Sequence, residues 1–249
     1  DIGVAQLRFM SGLAGERENG LFFAGDLGQR IFQTPFSWRS LGVDVRGRST
    51  TLRVNYRTSH QIRSQADRLL PTEMADVDGN SELRGGTISA FGGPKPVVEI
   101  CDDAEAEIAL VGRWVKDRLD DGVPAEEIAI AVRSRAELSR AEAAASAADV
   151  EALMLDRSSE PETGRVSLVT MHLAKGLEFR AVAVMACDDE VIPLQSRVEA
   201  IGDEAELEDV HETERHLLYV ACTRARDHLL VTGVDPASEF IDDFSVEDA

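Results

Sequence analysis

"ERHLLYVACTRARDHLLV" runs from Glu214 to Val231. Leu217, Leu218, Ala221 and Ala225 fall close to one helical face, so the first half predicts an amphipathic helix packed on a core. His228–Val231 then reads as a short buried strand. Between them lie Thr223, Arg224 and Arg226. Cations near a helix C-terminus gain roughly 0.3–1 kcal/mol from the helix dipole. That accounts for two arginines at a tight junction unless the rest of the chain gives them another partner.

Working outward, the same helix–strand alternation recurs upstream. "PVVEIC" reads as a strand, "AEAEIALVGRWVKDRLDDG" as a helix, "IAIAVRS" as a strand and "AELSRAEAAASAA" as a helix. "RVSLVTMH" and "AVAVMACDD" are two more strands. Short apolar strands that do not alternate with polar residues, separated by helices, predict a mostly parallel sheet covered on both faces. Further upstream the pattern is less regular. "DIGVAQLRFMSGLA" reads as a short amphipathic helix, "GLFFAGD" as an apolar strand, and "LGQRIFQTPFSW" as an irregular aromatic segment. "STTLRVNYRTS" reads as a strand entering a helix, with Thr58 or Ser59 as N-cap. Residues 71–96 are Gly- and Pro-rich and read as a long loop with a short extended segment.

The 249 residues are enough for one large or two smaller domains. Residues 1–48 belong less obviously to the sheet, and 49–249 form the main unit. No apolar run approaches the roughly 20 residues of a membrane span, and the acidic start is unlike a signal peptide. Cys101, Cys187 and Cys222 are odd in number, far apart and without paired metal spacing, which fits a reduced, cytoplasmic protein with no metal site of its own. A formal charge of −20 argues against a broadly basic surface that coats nucleic acid. Much of the acid is concentrated in "CDDAEAE", "GDEAELEDVHETE" and "DDFSVEDA", which leaves room for a narrow basic groove. Only 3 of the 26 cations are lysine, and arginine suits bidentate phosphate recognition.

In parallel sheets ligands collect where strands end and loops begin. The chain's conspicuous polar residues lie at such places. Asp26 and Gln29 follow "LFFAG", Tyr56 and Arg57 sit in "NYRTS", and Thr170, His172, Lys175, Gly176 and Glu178 follow "VSLV". Thr223, Arg224 and Arg226 complete the set. Together they have the makings of a polyanion site with an aromatic stacking platform.

"GDLGQRIF…SWR", "LRVNYRTS", "VSLVTMHLAKGLEF" and "ERHLLYVACTRARDHLL" resemble, in order, motifs III, IV, V and VI of UvrD/Rep/PcrA-type superfamily 1 DNA helicases. The resemblance implies an α/β, RecA-like sheet and a second motor domain of the P-loop NTPase type. It implies ATP hydrolysis between two such domains and 3′-to-5′ stepping along single-stranded DNA. Residue by residue, Arg224 matches the motif VI arginine and Arg57 the motif IV arginine that reach the γ-phosphate. Tyr56 matches the aromatic that stacks on adenine, and Gln29 the glutamine that links γ-phosphate to the DNA groove. Glu178 resembles the carboxylate near the ribose, with Gly176 beside the phosphates. Trp38, Arg39 and Phe32 resemble motif III residues on the DNA, and Thr170 and His172 resemble motif V residues facing the strand. "QTPFSWR" is longer than the usual spacing, which would displace Trp38.

No G-x-x-x-x-G-K-[ST] is present to cradle phosphates, and no Asp-Glu dyad precedes "GDLGQ". The expectation is therefore a C-terminal piece begun just after motif II, with Asp1 as that motif's last residue and residues 1–48 as a remnant of the first RecA-like domain. Mg²⁺ ligands and the rest of the ATP site would lie on that first domain, the implied partner. Alone, the chain is expected to be inactive, with self-association through residues 1–48 as a consequence of truncation. Only about thirty residues separate "IAIAVRSRAELSR" from "VSLVTMH", so the helical accessory domain of larger relatives is expected to be absent. The alternatives are a non-catalytic scaffold for a repair or nuclease partner, and a translocase that acts on RNA or displaces proteins.

Overall fold

All five residues of the run Ile128–Val132 are buried, as a strand covered on both faces requires. The computed structural model describes residues 2–15, 17–32, 36–45, 47–79, 81–83 and 86–245. Asp1, matched above to motif II, and Gln33–Pro35 of the lengthened motif III lie outside the described residues. The elements before residue 100 are α1 (Val4–Ala14), β1 (Val54–Asn55), α2 (His60–Ala66), β2 (Glu73–Ala75), β3 (Ser81–Leu83), β4 (Ile88–Ser89) and the start of β5 (Val97–Cys101). Then follow α3 (Ala104–Asp120), β6 (Ile128–Val132), α4 (Leu138–Ala147), β7 (Ala152–Met154), β8 (Val166–Thr170) and α5 (Met171–Ala174). The chain closes with β9 (Phe179–Val184), α6 (Gln195–Val198), α7 (Glu204–Cys222), β10 (Ala225–Val234) and α8 (Asp242–Ser245).

Six strands form one sheet in the order β5-β10-β9-β6-β8-β7, and every pair is parallel. Successive side chains of a strand point to opposite faces, and the core divides accordingly. Ile128, Ile130 and Val132 pack with Val111, Trp114 and Val115 of α3 and Leu138, Ala141 and Ala144 of α4. Ala129 and Ala131 point the other way, towards Ile62 of α2, Met171 of α5, Leu217 and Leu218 of α7 and Phe240. The alanine-rich α4 lies close on α3: a Cβ added at Gly112 would sit 2.7 Å from the Ala147 Cβ and 3.0 Å from the Ala144 carbonyl.

Helix α7 organises one face. The Asp203 carboxylate accepts the Glu206 N–H at 2.9 Å and caps its start, and Glu204 and Glu206 suit the positive end of the dipole. At its C-terminus the Thr223 hydroxyl turns back onto the carbonyls of Tyr219 and Val220 at 2.9 and 3.1 Å. Ser59 caps α2, its hydroxyl accepting the Ile62 N–H at 3.5 Å.

Several expectations need correction. Gly20–Asp26 forms no strand: Phe22 is 93% exposed, and no described strand lies alongside to supply ladder hydrogen bonds. Ala225 belongs to β10, which begins three residues before His228, because pairing with Phe179 draws it into the sheet. The long loop at 71–96 contains the antiparallel pair β2–β3, while β4 pairs with β1. Helix α7 begins ten residues before Glu214, at the acidic stretch.

Candidate functional site

Glu178 immediately precedes β9 and Arg224 immediately precedes β10. The two strands are parallel neighbours, so both side chains arrive at the same edge of the sheet, and the Phe179 N–H donates to the Arg224 carbonyl at 3.0 Å. This is the edge where strands begin, not where they end as expected. Connections entering the two strands carry the polar residues, and two segments from elsewhere join them. The Ser59 N–H donates to the Arg226 carbonyl at 3.0 Å, which brings in Tyr56 and Arg57. The turn at Asp26–Gln29 supplies the other: the Asp26 carboxylate accepts the Gly28 N–H at 2.8 Å and the Gln29 side-chain amide at 2.9 Å.

These residues line a cavity of about 470 Å³, with Tyr56, Arg57, Gln29, Glu178, Tyr219 and Arg224 on its walls. Arg224 is only 1% exposed. Its Nε donates to the Val220 carbonyl at 3.0 Å, Nη1 to the Leu177 carbonyl at 3.4 Å, and Nη2 to Gln29 Oε1 and Thr223 Oγ1, each at 3.3 Å. A buried guanidinium needs such partners, since an unpaired buried donor costs about 1–3 kcal/mol. Burial, then repulsion from Arg57, draws its pKa down to about 10, with Glu178 opposing. Arg57 is exposed and ion-paired with Glu178. Tyr56 is 75% exposed, its ring free to meet a planar ligand. Gly176, at φ +93°, makes the turn into β9, a conformation that other residues rarely adopt.

A second cavity, of about 440 Å³, opens at the opposite edge, where β8 ends. Thr170, His172, Arg135, Arg157 and Ser158 line it. Burial, then the nearby Arg133, lowers the His172 pKa, so the ring is neutral near pH 7. Residues 171–178 run from this edge to the first, with α5 packed on the sheet, and the Asp26–Phe32 segment accompanies them. Lys175 Nζ donates to the Gln29 carbonyl and lies 5.5 Å from the centre of the Phe32 ring. The Phe32 and His172 rings are 5.9 Å apart. Burial first, then Arg224, pulls the Lys175 pKa down to about 8.

Sequence-derived candidates thus separate into two groups. Arg224, Arg57, Gln29, Tyr56 and Glu178 come together at the first cavity, with Gly176 in the turn beside it. Thr170 and His172 line the second, and Phe32 lies against His172. Trp38 lines neither; it packs against Phe23 and Phe36, with ring centroids 5.1 and 5.3 Å away. Arg39 is exposed, and its N–H donates to Asp78 beyond β2 at 3.1 Å. Reasoning from the sequence missed Arg63 and Thr87 at the first cavity and Arg135 and Arg157 at the second. Arg135 lies three residues past the end of β6, so its place just beyond a strand end was the available signal; Arg157 carried none.

A family model described as the UvrD-like helicase C-terminal domain matches residues 148–235. The chain resembles the C-terminal portion of UvrD/Rep/PcrA-type DNA helicases. A putative ATP-dependent DNA helicase, YjcD, of Bacillus subtilis is 48% identical over 69 residues, which is 27% of this chain and 9% of that protein. The ATP-dependent DNA helicase UvrD1 of Mycobacterium leprae is 42% identical over 82 residues, 32% of this chain and 10% of the relative. The ATP-dependent DNA helicase Rep of Escherichia coli is 38% identical over 80 residues, 32% and 11% of the two chains. The matched stretch therefore spans about a tenth of these relatives. Among solved structures, the C-terminal domain of a possible DNA helicase from a Lactobacillus (WCFS1) superposes with a TM-score of 0.51 at 24% identity. It covers 75% of this chain and 92% of that one, and it supports the α/β, RecA-like architecture. Among the described residues no helix is long and apolar enough to cross a membrane.

Proposed function

We propose that this chain is the second motor domain of an ATP-dependent DNA helicase or translocase of 3′-to-5′ polarity. The observation that carries the reading is Arg224, held almost fully buried by four hydrogen bonds while it lines a cavity shared with Arg57, Gln29 and Tyr56. Two guanidinium groups and a glutamine fit a phosphate chain, and an exposed tyrosine fits the adenine ring. The sequence has no G-x-x-x-x-G-K-[ST] loop, and among the described residues no group of His, Cys, Asp or Glu is placed to hold a metal ion. On this reading the nucleotide's phosphate-binding loop and Mg²⁺ ligands belong to a facing domain, and this chain alone hydrolyses no ATP.

Arg224 stabilises the charge that develops on the transferred phosphoryl group. Its fixed fork loses little freedom in doing so, and a positioned arginine of this kind is worth on the order of 10³–10⁵ in rate. Arg57 approaches from the other wall. Gln29 touches Arg224 with its side chain and Lys175 with its backbone, so the nucleotide edge is tied to the edge lined by Thr170 and His172. There a single DNA strand would meet Arg135 and Arg157 with its phosphates and Phe32 with a base. We place a domain boundary at residue 48; α1 lies beside residues 39–41, while Ile31 is buried in the core of the sheet domain.

The test is ATP hydrolysis by a polypeptide that joins this chain to a domain carrying a Walker A loop, with and without single-stranded DNA. Arg224→Ala lowers the stimulated rate by about 10³-fold or more. An undiminished rate, or hydrolysis by this chain alone, overturns the reading. RNA in place of DNA separates the two polymers as tracks.

A further inference from the structure

The pairing of Arg57 with Glu178 is not what a site waiting for phosphate needs, since it occupies one of the two cations that face the cavity. Both side chains are substantially exposed, at 43% and 54%, so neither is locked in place. Arg57 and Arg224 repel one another across the cavity, and Glu178 is the anion that offsets this. From this arrangement, and resting on the nucleotide reading above, we infer that Glu178 is a displaceable counter-anion that holds Arg57 in the empty site and yields it to the terminal phosphate.

Binding is then an exchange. A polyphosphate brings its own negative charge between the two guanidinium groups, repels the Glu178 carboxylate, and takes over its ion pair with Arg57. No bond is made or broken, and no proton need move. The cost of opening the Arg57–Glu178 pair is charged only to ligands long enough to reach Arg57. Glu178 therefore weakens the binding of such ligands while it steadies the empty site, which sets how readily the terminal phosphate is held and let go.

Inorganic tripolyphosphate is the probe, because it lacks a ribose and so removes any sugar contact that Glu178 makes. Calorimetric titration of the full chain compares wild type, Glu178→Gln, Arg57→Ala, their double variant and Arg224→Ala. Glu178→Gln binds tripolyphosphate about 2- to 5-fold more tightly, the range expected for an exposed ion pair. Arg57→Ala binds more weakly, and adding Glu178→Gln to it restores nothing. The empty Glu178→Gln protein melts at a lower temperature than wild type. If Glu178→Gln is neutral or weakens binding while Arg224→Ala abolishes it, the counter-anion inference falls and the nucleotide reading survives. If neither wild type nor Glu178→Gln binds tripolyphosphate, the counter-anion inference falls, and the nucleotide reading is decided by the ATP hydrolysis of the joined polypeptide.

Discussion

Glu214 lies within α7 with its side chain fully buried, and two arginines converge on it. Arg133 approaches with both forks, Nε at 2.5 Å and Nη2 at 2.6 Å, and Arg197 adds Nη1 at 2.8 Å. The Arg133 side chain is 5% exposed, and that of Arg197 38%. Glu214→Ala would leave Arg133 charged, buried and unpaired, whereas Arg197 can turn to water. Removing one partner of such a pair costs about 3–5 kcal/mol, and at about 2–4 °C per kcal/mol for a chain of this size the melting temperature falls by roughly 6–20 °C. Replacing both partners, Arg133→Met with Glu214→Leu, leaves no orphaned charge and costs less than the single change. Acidification provides a second measure. Burial pushes the Glu214 pKa up, but the hydrogen bonds and charge of Arg133, with those of Arg197, outweigh it and leave it below the usual carboxylate range. A folded-state pKa below the unfolded one adds stability at neutral pH that is lost as pH falls through the lowered value. The gap between wild type and Glu214→Ala therefore narrows in acid. Urea denaturation at several pH values is the assay. A single-variant loss under about 1 kcal/mol, or a double variant no better than the single, refutes the reasoning.

Three further outcomes are expected. Gly112→Ala pushes a methyl group into Ala147 and the Ala144 carbonyl, so it lowers stability by about 1–3 kcal/mol, measurable by urea denaturation. Lys175 has a folded-state pKa drawn down to about 8 from an ordinary 10.5, so the unfolded chain holds its proton longer. Stability relative to Lys175→Met therefore rises between about pH 8 and pH 10.5, a trend that paired melts across this window would detect. If Arg135 and Arg157 meet strand phosphates, each alanine substitution reduces the slope of log K against log salt for oligonucleotide binding by about 0.7.

The sheet was legible because its strands are uninterrupted apolar runs and its helices carry clear apolar faces. The cap of α2 was readable to within one residue, as Thr58 or Ser59, because both stand just before a helical pattern; Ser59 takes the place. β7 was not readable, since Ala152–Met154 is only three residues long and lies at an edge of the sheet. "LFFAG" misled for the opposite reason: its apolar run satisfies a strand's composition, but a strand also needs a neighbour. The first cavity was readable as a set of residue types, through motifs whose members lie near one another in the chain. Its electrostatics were not, because Arg57 meets Glu178 and Arg224 meets Gln29 only through folding. Local pattern also could not show that Arg224 is buried, or that both it and Glu178 lie where strands begin.

The setting of Arg224 has a mechanical consequence. Its Nε and one terminal nitrogen are held by backbone carbonyls, the other by Gln29 and Thr223, and its own carbonyl accepts from the start of β9. A side chain so tethered cannot swing out to search for a ligand. Arg57, exposed and ion-paired with the exposed Glu178, can. On the proposed nucleotide reading the two cations would be an anchor post and a tether: one would define where the terminal phosphate stops, and the other could follow it in. Travel in such a site has to come from whatever carries the phosphate, moving as a body towards a fixed point.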